Sequence, residues 1–176
     1  MTMPSTLARG FALTGAAVLF PALGCLPEDA SPDPPSAEEV ASHYTFEGDL
    51  EVEMSGNVAQ ISVTIDGEQF RMGGELWARA APYVFLFSPA TRDAFETHAG
   101  LGGVRVIVNY HNGAMVGQAL LERSTLNSVG WDRALNVAGR ARTQGTQSPG
   151  YMRDLVSWGE DHTDFQYNPE YIPGAP

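Results

Sequence analysis

Residues 50–65 read LEVEMSGNVAQISVTI, two runs of alternating apolar and polar residues separated by Gly56-Asn57, and this stretch decides the fold. Alternation with a period of two is typical of strands with one buried face. A two-residue turn gives one hairpin register that places every apolar residue on the same face. The expected pairs are Leu50 with Val63, Val52 with Ile61 and Met54 with Ala59 on the apolar face, and Glu51 with Ser62 and Glu53 with Gln60 on the polar face.

A second hairpin is predicted around Asn112-Gly113, because two-residue hairpin turns favour this pair. Between the two hairpins, residues 82–88 read PYVFLFS, a continuous apolar run that favours a strand covered on both faces. The expected pairs of the second hairpin are Tyr110 with Met115, Val108 with Gly117, Val106 with Ala119 and Val104 with Leu121 on an apolar face, and Ile107 with Gln118 and Arg105 with Leu120 on a mixed face.

Three segments carry helix signals. Ser88-Pro89 predicts the N-cap and first turn of a short helix that ends before Gly100. A second helix is predicted by the apolar spacing from Trp131 up to Gly145, and a third begins at Ser148-Pro149. The apolar stripe expected on this third helix consists of Met152, Leu155, Val156 and Gly159.

These segments together predict an α+β domain. We expect an antiparallel sheet of about five strands, made of two hairpins plus a central strand, with helices packed on one face. Residues 163–176 contain three prolines and predict an extended C-terminal tail.

Charge and composition exclude several functions. The net charge of −11 disfavours general nucleic-acid binding, so no nucleic-acid partner is expected. The chain has no lysine, which excludes a Schiff-base lysine and a phosphate-loop lysine. Acids dominate residues 25–70 and 154–176, whereas residues 123–153 hold five arginines and one acid. Such segregation steers a partner of opposite charge, unless the acidic and basic segments face each other within the fold.

The first 25 residues have the pattern of an export signal. Arg9 supplies a positive start, and residues 10–24 carry no charge but are too few to span a bilayer. Residues 22–25, ALGC, resemble the bacterial lipobox, whose cysteine is lipidated and becomes the first residue of the mature protein. The resemblance implies that residues 1–24 are a signal peptide and that Cys25 carries a lipid anchor on the periplasmic or outer side of the bacterial envelope. The alternative is a buried thiol within an uncleaved signal anchor.

Residues 26–42, LPEDASPDPPSAEEVAS, contain four prolines and five acids and almost no large apolar side chain. This composition predicts an extended tether, because it offers too little apolar surface for a core. The expected organisation is therefore a signal peptide at 1–24, an anchor cysteine and tether at 25–42, and a single α+β domain with its tail at 43–176.

No residue pattern predicts catalysis, a metal site or a cofactor. The glycines of residues 100–106, GLGGVRV, follow a helix and open a strand, the reverse of a phosphate-binding loop, and so predict a helix stop. The histidines at positions 43, 98, 111 and 162 have no metal-ligand spacing, although residues 160–164 group three acids with His162.

We predict a non-enzymatic, lipid-anchored interaction module, held to the membrane by its anchor and docked on a protein partner in the envelope. It would be an accessory or stabilising subunit of a larger membrane complex, of which a photosynthetic reaction-centre or light-harvesting assembly is one example. Two alternatives stay open: an envelope hydrolase whose site assembles from distant residues, and a carrier of small apolar ligands between sheet and helices. The residues predicted to contact the partner are Arg133, Arg140, Arg142, Tyr167 and Tyr171, because arginine and aromatic side chains anchor protein interfaces.

Overall fold

A computed structural model describes residues 32–45, 49–65 and 67–173, and the side chains of all of these except residues 67–73. The described residues belong to one compact unit that begins at Ser31. The strands are β1 (Leu50–Ser55), β2 (Val58–Ile65), β3 (Gly103–Tyr110), β4 (Met115–Glu122) and β5 (Asp164–Tyr167), and the helices are α1 (Ala37–Ala41), α2 (Gly67–Leu86), α3 (Pro89–Thr97), α4 (Ser128–Gln144) and α5 (Pro149–His162). Gly74 has a positive φ of 56° and divides α2 into two helical segments at a kink.

The hairpin of β1 and β2 has the predicted register at every predicted pair, from Leu50 opposite Val63 to Met54 opposite Ala59. Gly56 adopts a positive φ of 61° in its two-residue turn, a conformation that a glycine adopts without strain. The alternation of apolar and polar residues therefore fixed this pairing, because any shift by one residue would turn the apolar side chains to the open face.

The hairpin of β3 and β4 has the predicted register from Val104 opposite Leu121 to Val108 opposite Gly117. The predicted pair of Tyr110 with Met115 is wrong, because a bulge after Val108 pairs Asn109 with Met115 instead. The Tyr110 amide donates to the carbonyl of Ala114, and Gly113 takes a φ of 82°. The loop thus contains three residues with a glycine bulge, the next most common hairpin connection after two-residue turns.

The sheet orders its strands β1-β2-β3-β4-β5, and every neighbouring pair is antiparallel except β2 and β3, which are parallel. The expected wholly antiparallel sheet is therefore corrected at this one pair. Parallel neighbours require a long crossover connection, and α2 and α3 supply it. The fold is α+β, with five strands as expected.

Residues 82–88 do not form the predicted central strand, because residues up to Leu86 complete α2. The fifth strand is β5 in the tail, which pairs with β4. A helix that is covered on several sides is apolar around most of its circumference, so its sequence resembles that of a buried strand. Buried positions of α2 and the residue after it include Ala78, Ala80, Ala81, Tyr83, Val84, Leu86 and Phe87.

The predicted starts of α3 and α5 and the predicted end of α4 are confirmed, whereas α4 begins at Ser128, earlier than the predicted apolar spacing. The Ser88 hydroxyl accepts a hydrogen bond from the Thr91 amide at the start of α3, and Pro89 is its first residue. Gly145 follows the last residue of α4, and α5 begins at Pro149. The predicted stripe of α5, which is Met152, Leu155, Val156 and Gly159, is buried.

The last part of the predicted tether packs on the domain. Ser36 and Glu39 form a capping box that starts α1, and Val40 is fully buried in the core. The backbone of Asp33 passes so close to Gly100 that a side-chain carbon at position 100 would overlap it. Because α1 contacts β1, residues from Ala37 onward belong to the folded domain, and the predicted tether must end before α1.

One face of the sheet is buried and the other is open. Alternate residues of β2, β3 and β4 are fully buried, including Ile61, Val106 and Leu121. Helix α2 contacts β3 and β4 and packs against α4 and α5. Helices therefore cover one face, as expected. Within the described ranges, no helix has a stretch long and apolar enough to span a membrane.

Replacing Gly159 by alanine should destabilise the protein, because a Cβ at this position of α5 would overlap the ring of Tyr83 on α2. We expect a loss of roughly 1–3 kcal/mol in the free energy of unfolding, measured by urea denaturation. The matched control is Gly139→Ala in α4, where nothing lies within 4 Å of the added carbon. This control should be neutral or more stable by up to about 1 kcal/mol, since alanine favours helix. Equal effects of the two substitutions would contradict the packing of α2 on α5.

Candidate ligand-binding cavity

A cavity of about 860 Å³ lies beside α2, bounded by the start of α3, the end of α4 and the start of α5. This volume falls within the range of small-molecule binding sites in proteins. The cavity opens to solvent, because Thr45, Thr146 and Pro149 of its lining are exposed. The described residues that line the cavity are Tyr44, Thr45, Leu50, Leu76, Trp77, Val84, Phe85, Ser88, Ala90, Ala141, Arg142, Gly145, Thr146, Pro149 and Met152.

The lining is mostly apolar. Its polar groups come from one tyrosine, one tryptophan, two threonines, one serine and one arginine, and its described residues include no aspartate, glutamate or histidine. The cavity therefore offers no carboxylate or imidazole for acid–base chemistry among these residues. It offers instead a large apolar surface with a single charged group, Arg142.

Arg142 is held by the end of α2. Its guanidinium donates hydrogen bonds to the carbonyl oxygens of Val84, at 3.0 Å, and Phe87, at 2.6 Å. These carbonyls lie at the C-terminal end of α2, where a cation interacts favourably with the unpaired carbonyl dipoles. Burial lowers the pKa of the Arg142 guanidinium, which remains charged at neutral pH. The contact with α2 therefore fixes a positive charge at the cavity wall, where Arg142 remains exposed to solvent.

Two aromatic residues of the lining are also fixed in place. The hydroxyl of Tyr44 lies 2.9 Å from the hydroxyl of Thr91, and burial raises the pKa of Tyr44 above its ordinary value. The indole Nε1 of Trp77 is buried and has no hydrogen-bond partner among the described residues. Trp77 is therefore a natural fluorescent reporter of what occupies the cavity.

A polar network joins α2, α5 and β5 around Tyr167. Its hydroxyl lies 2.8 Å from that of Tyr83 and donates to Glu160 Oε1 at 3.0 Å, and Arg79 contacts the same oxygen at 2.6 Å. Burial raises the pKa of Tyr83 to about 12. Burial and the neighbouring Tyr83 also raise the pKa of Tyr167. None of these four residues lines the cavity, so the network is a structural link between two helices and the edge strand.

Arg133 and Arg140, two of the predicted partner contacts, lie on one face of α4, as their spacing of seven residues predicts. The Arg133 guanidinium lies 4.5 Å from the centre of the Trp158 ring, and that of Arg140 lies 5.9 Å from the Tyr151 ring. Both rings belong to α5, so cation–π contacts join the two helices. All three predicted arginines are exposed, and the third, Arg142, also lines the cavity.

The two predicted tyrosines have different environments. Tyr167 is only 8% exposed, so its burial leaves almost no surface for the predicted partner contact, and the structure assigns it to the core. Tyr171 is half-buried, with its ring centre 5.8 Å from that of Tyr110. Cys25, the predicted lipid attachment point, lies outside the described residues.

Two histidines that are far apart in sequence meet in the structure. The Nε2 atoms of His43 and His98 lie 3.1 Å apart, at the junction of α1 with the end of α3. The separation of 55 positions explains why no local spacing revealed this pair. His162 instead stacks on Trp158, and Glu160 is engaged with Arg79. The described residues contain no group of three or more His, Cys, Asp or Glu side chains suited to a metal ion.

The sequence contained a weak signal for the cavity. Alanine and glycine at the ends of α3 and α4, such as Ala90, Ala141 and Gly145, leave room that larger side chains would fill. Small residues at helix ends have many other causes, so the cavity becomes visible only when α2 is placed beside them. No protein-family model, curated protein or solved structure matches this chain.

The stability of the protein should fall as the pH rises above about 10. Tyr44, Tyr83 and Tyr167 have raised pKa values in the folded chain, so they stay protonated there when the unfolded chain already releases protons. Their contribution to the free energy of unfolding is complete below pH 10, which is about the pKa of tyrosine in the unfolded chain. It is lost between roughly pH 10 and 12. Within that interval, each of the three tyrosines should lower the free energy of unfolding by about 1.4 kcal/mol per pH unit.

Urea denaturation at a series of pH values measures this loss. Tyr83→Phe should weaken the dependence on pH, because it removes one of the three tyrosines whose pKa values are raised. A free energy of unfolding that stays constant from pH 9 to pH 11.5 would contradict the buried positions of these tyrosines.

Proposed function

We propose that this chain is an envelope protein that binds a small apolar ligand in the cavity beside α2. The observation that carries this proposal is the cavity itself, about 860 Å³ in volume and lined mostly by apolar side chains. Burial of hydrocarbon contributes about 0.8 kcal/mol per CH₂ group, so a ligand with a long chain would gain affinity from this surface without specific polar contacts.

The chemistry of the lining favours binding over hydrolysis. A hydrolase needs a general base or an activated nucleophile within reach of the bound substrate. The described lining has neither a carboxylate nor a histidine, and the most strongly shifted pKa values outside it belong to tyrosines of the structural network. The carrier of small apolar ligands is therefore the alternative that the geometry supports best.

Heavy-atom quenching of tryptophan fluorescence tests the proposal. The probe is the methyl ester of 9,10-dibromostearic acid, added to the full chain carrying Cys25→Ser so that no acyl chain of its own competes. We expect saturable quenching, because Trp77 lines the cavity and the bromine atoms quench at short range. Trp77→Phe should remove most of the quenching, whereas the control Trp158→Phe, whose indole packs on His162, should retain it.

Thr146→Phe adds bulk at the cavity wall and should weaken binding of the ester. Its matched control is Thr143→Phe, an exposed position of α4 that does not line the cavity. Quenching that does not saturate, or that is the same in Trp77→Phe and wild type, would contradict a ligand site in this cavity.

The lipid anchor and the docking role stay proposals beside this one. One observation favours docking: Arg133 and Arg140 are exposed and form no ion pair with a described residue. They present positive charge on one face of α4 of an otherwise acidic chain, a surface suited to an acidic partner.

Pull-down from gently solubilised membranes tests docking. We expect a companion protein to be recovered with the wild-type chain and lost with the double substitution Arg133→Glu and Arg140→Glu, because reversed charge repels an acidic partner. Arg153→Glu is the matched control on α5 and should retain the companion. Mass spectrometry of the recovered chain should find Cys25 acylated and at the N-terminus. Recovery of only the free monomer from the wild type, the double substitution and Arg153→Glu would contradict docking. A chain that begins at Met1 and has an unmodified Cys25 would contradict the lipid anchor.

A further inference from the structure

Arg142 is the only formally charged residue among the described residues that line the cavity. The chain has 21 acidic residues and 10 basic ones, so its composition favours an acid at any given site. The described wall of the cavity instead has an arginine and no acid. Charge complementarity at this wall excludes a cationic ligand and favours an anionic one.

The positive charge of Arg142 lacks a counter-ion. No described carboxylate lies within ion-pair distance of its guanidinium, and two of the three guanidinium nitrogens are used on backbone carbonyls. The remaining nitrogen, Nη1, makes no hydrogen bond to a described residue. An arginine guanidinium binds a carboxylate through short charge-assisted hydrogen bonds, so the free side of Arg142 can receive one.

The same wall carries two helix starts. Ser88 and Ala90 at the start of α3 and Pro149 at the start of α5 line the cavity, and the peptide dipoles of a helix are positive at its N-terminal end. The negative C-terminal ends of α2 and α4 also reach the cavity and oppose these dipoles, so Arg142 is the one full charge at the wall. A single arginine matches a monoanion better than a phosphate monoester, which carries a charge of about −1.5 to −2 at neutral pH.

We propose that the ligand is a long-chain carboxylate, whose hydrocarbon chain fills the apolar cavity and whose head group lies against Arg142. This inference rests on the proposed function, and it adds the chemical class of the ligand and the residue that selects it. Arg142 then has two roles, since it holds the end of α2 and receives the carboxylate.

The test compares 9,10-dibromostearic acid with its methyl ester on the full chain carrying Cys25→Ser at pH 8. The two probes share one hydrocarbon chain and differ in the charge of the head group. We expect the acid to quench Trp77 with an affinity about tenfold or more above that of the ester, the ratio expected from one charge-assisted contact.

Arg142→Gln should reduce this ratio of affinities to near one, because it weakens binding of the acid and leaves binding of the ester unchanged. Arg142→Lys keeps the positive charge and should keep part of the preference for the acid. This variant tests the role of the charge even if Arg142→Gln weakens the contact between α4 and α2. The control is Arg140→Gln, two residues away on α4 and outside the cavity, which should retain the full ratio. The thermal unfolding midpoint of each variant shows whether the fold is kept.

Equal affinity of acid and ester in the wild-type cavity, or a preference that survives in Arg142→Gln, would overturn the inference while the proposed function stands. Absence of saturable quenching by both probes would overturn the proposed function itself. The two failures are therefore distinct.

Discussion

The burial of α2 is the constraint on which the rest of the structure depends. This helix connects β2 to β3, packs on β3 and β4, and contacts α4 and α5. A connection of this length allows β2 and β3 to lie parallel, with a hairpin on either side. Because it is covered on several sides, its second half must be apolar around most of its circumference. The central position of α2 thus sets both the order of the sheet and the composition of residues 78–87.

Two polar contacts fix α2 at different places, and the cavity lies beside one of them. The network of Tyr83, Tyr167, Glu160 and Arg79 joins α2 to α5 and to β5. Arg142 holds the C-terminal carbonyls of α2 from α4. The helix ends that meet near Arg142 carry small side chains, so they enclose space instead of filling it. The cavity is therefore a consequence of how α2 is held in place. Arg142, which holds the end of α2, also supplies the one charge of the described cavity wall.

The proposed ligand and the proposed anchor are consistent with each other in physical terms. Long-chain amphiphiles partition into membranes, and a domain attached to the envelope by an acyl chain would meet them at high local concentration. The exposed carboxylates of Glu51 and Glu53 on β1 would keep such a domain in water beside the membrane. Arg133 and Arg140 of α4 lie outside the cavity, so docking through them and ligand binding would use different surfaces.

Local sequence was sufficient to predict the first hairpin, the register of the second from Val104 to Val108, the starts of α3 and α5, the end of α4 and the buried stripe of α5. These features rest on local rules, namely alternation, turn residues, caps and helical spacing, which the neighbouring residues settle. Contacts between distant segments were needed to show that residues 82–86 are helical, that β2 and β3 are parallel, that Tyr167 is buried and that His43 meets His98. An apolar run has no periodicity that separates a buried helix from a buried strand, and contacts between distant segments leave no local pattern. The cavity belongs to this second class, because its walls come from five parts of the chain that only the packing of α2 brings together.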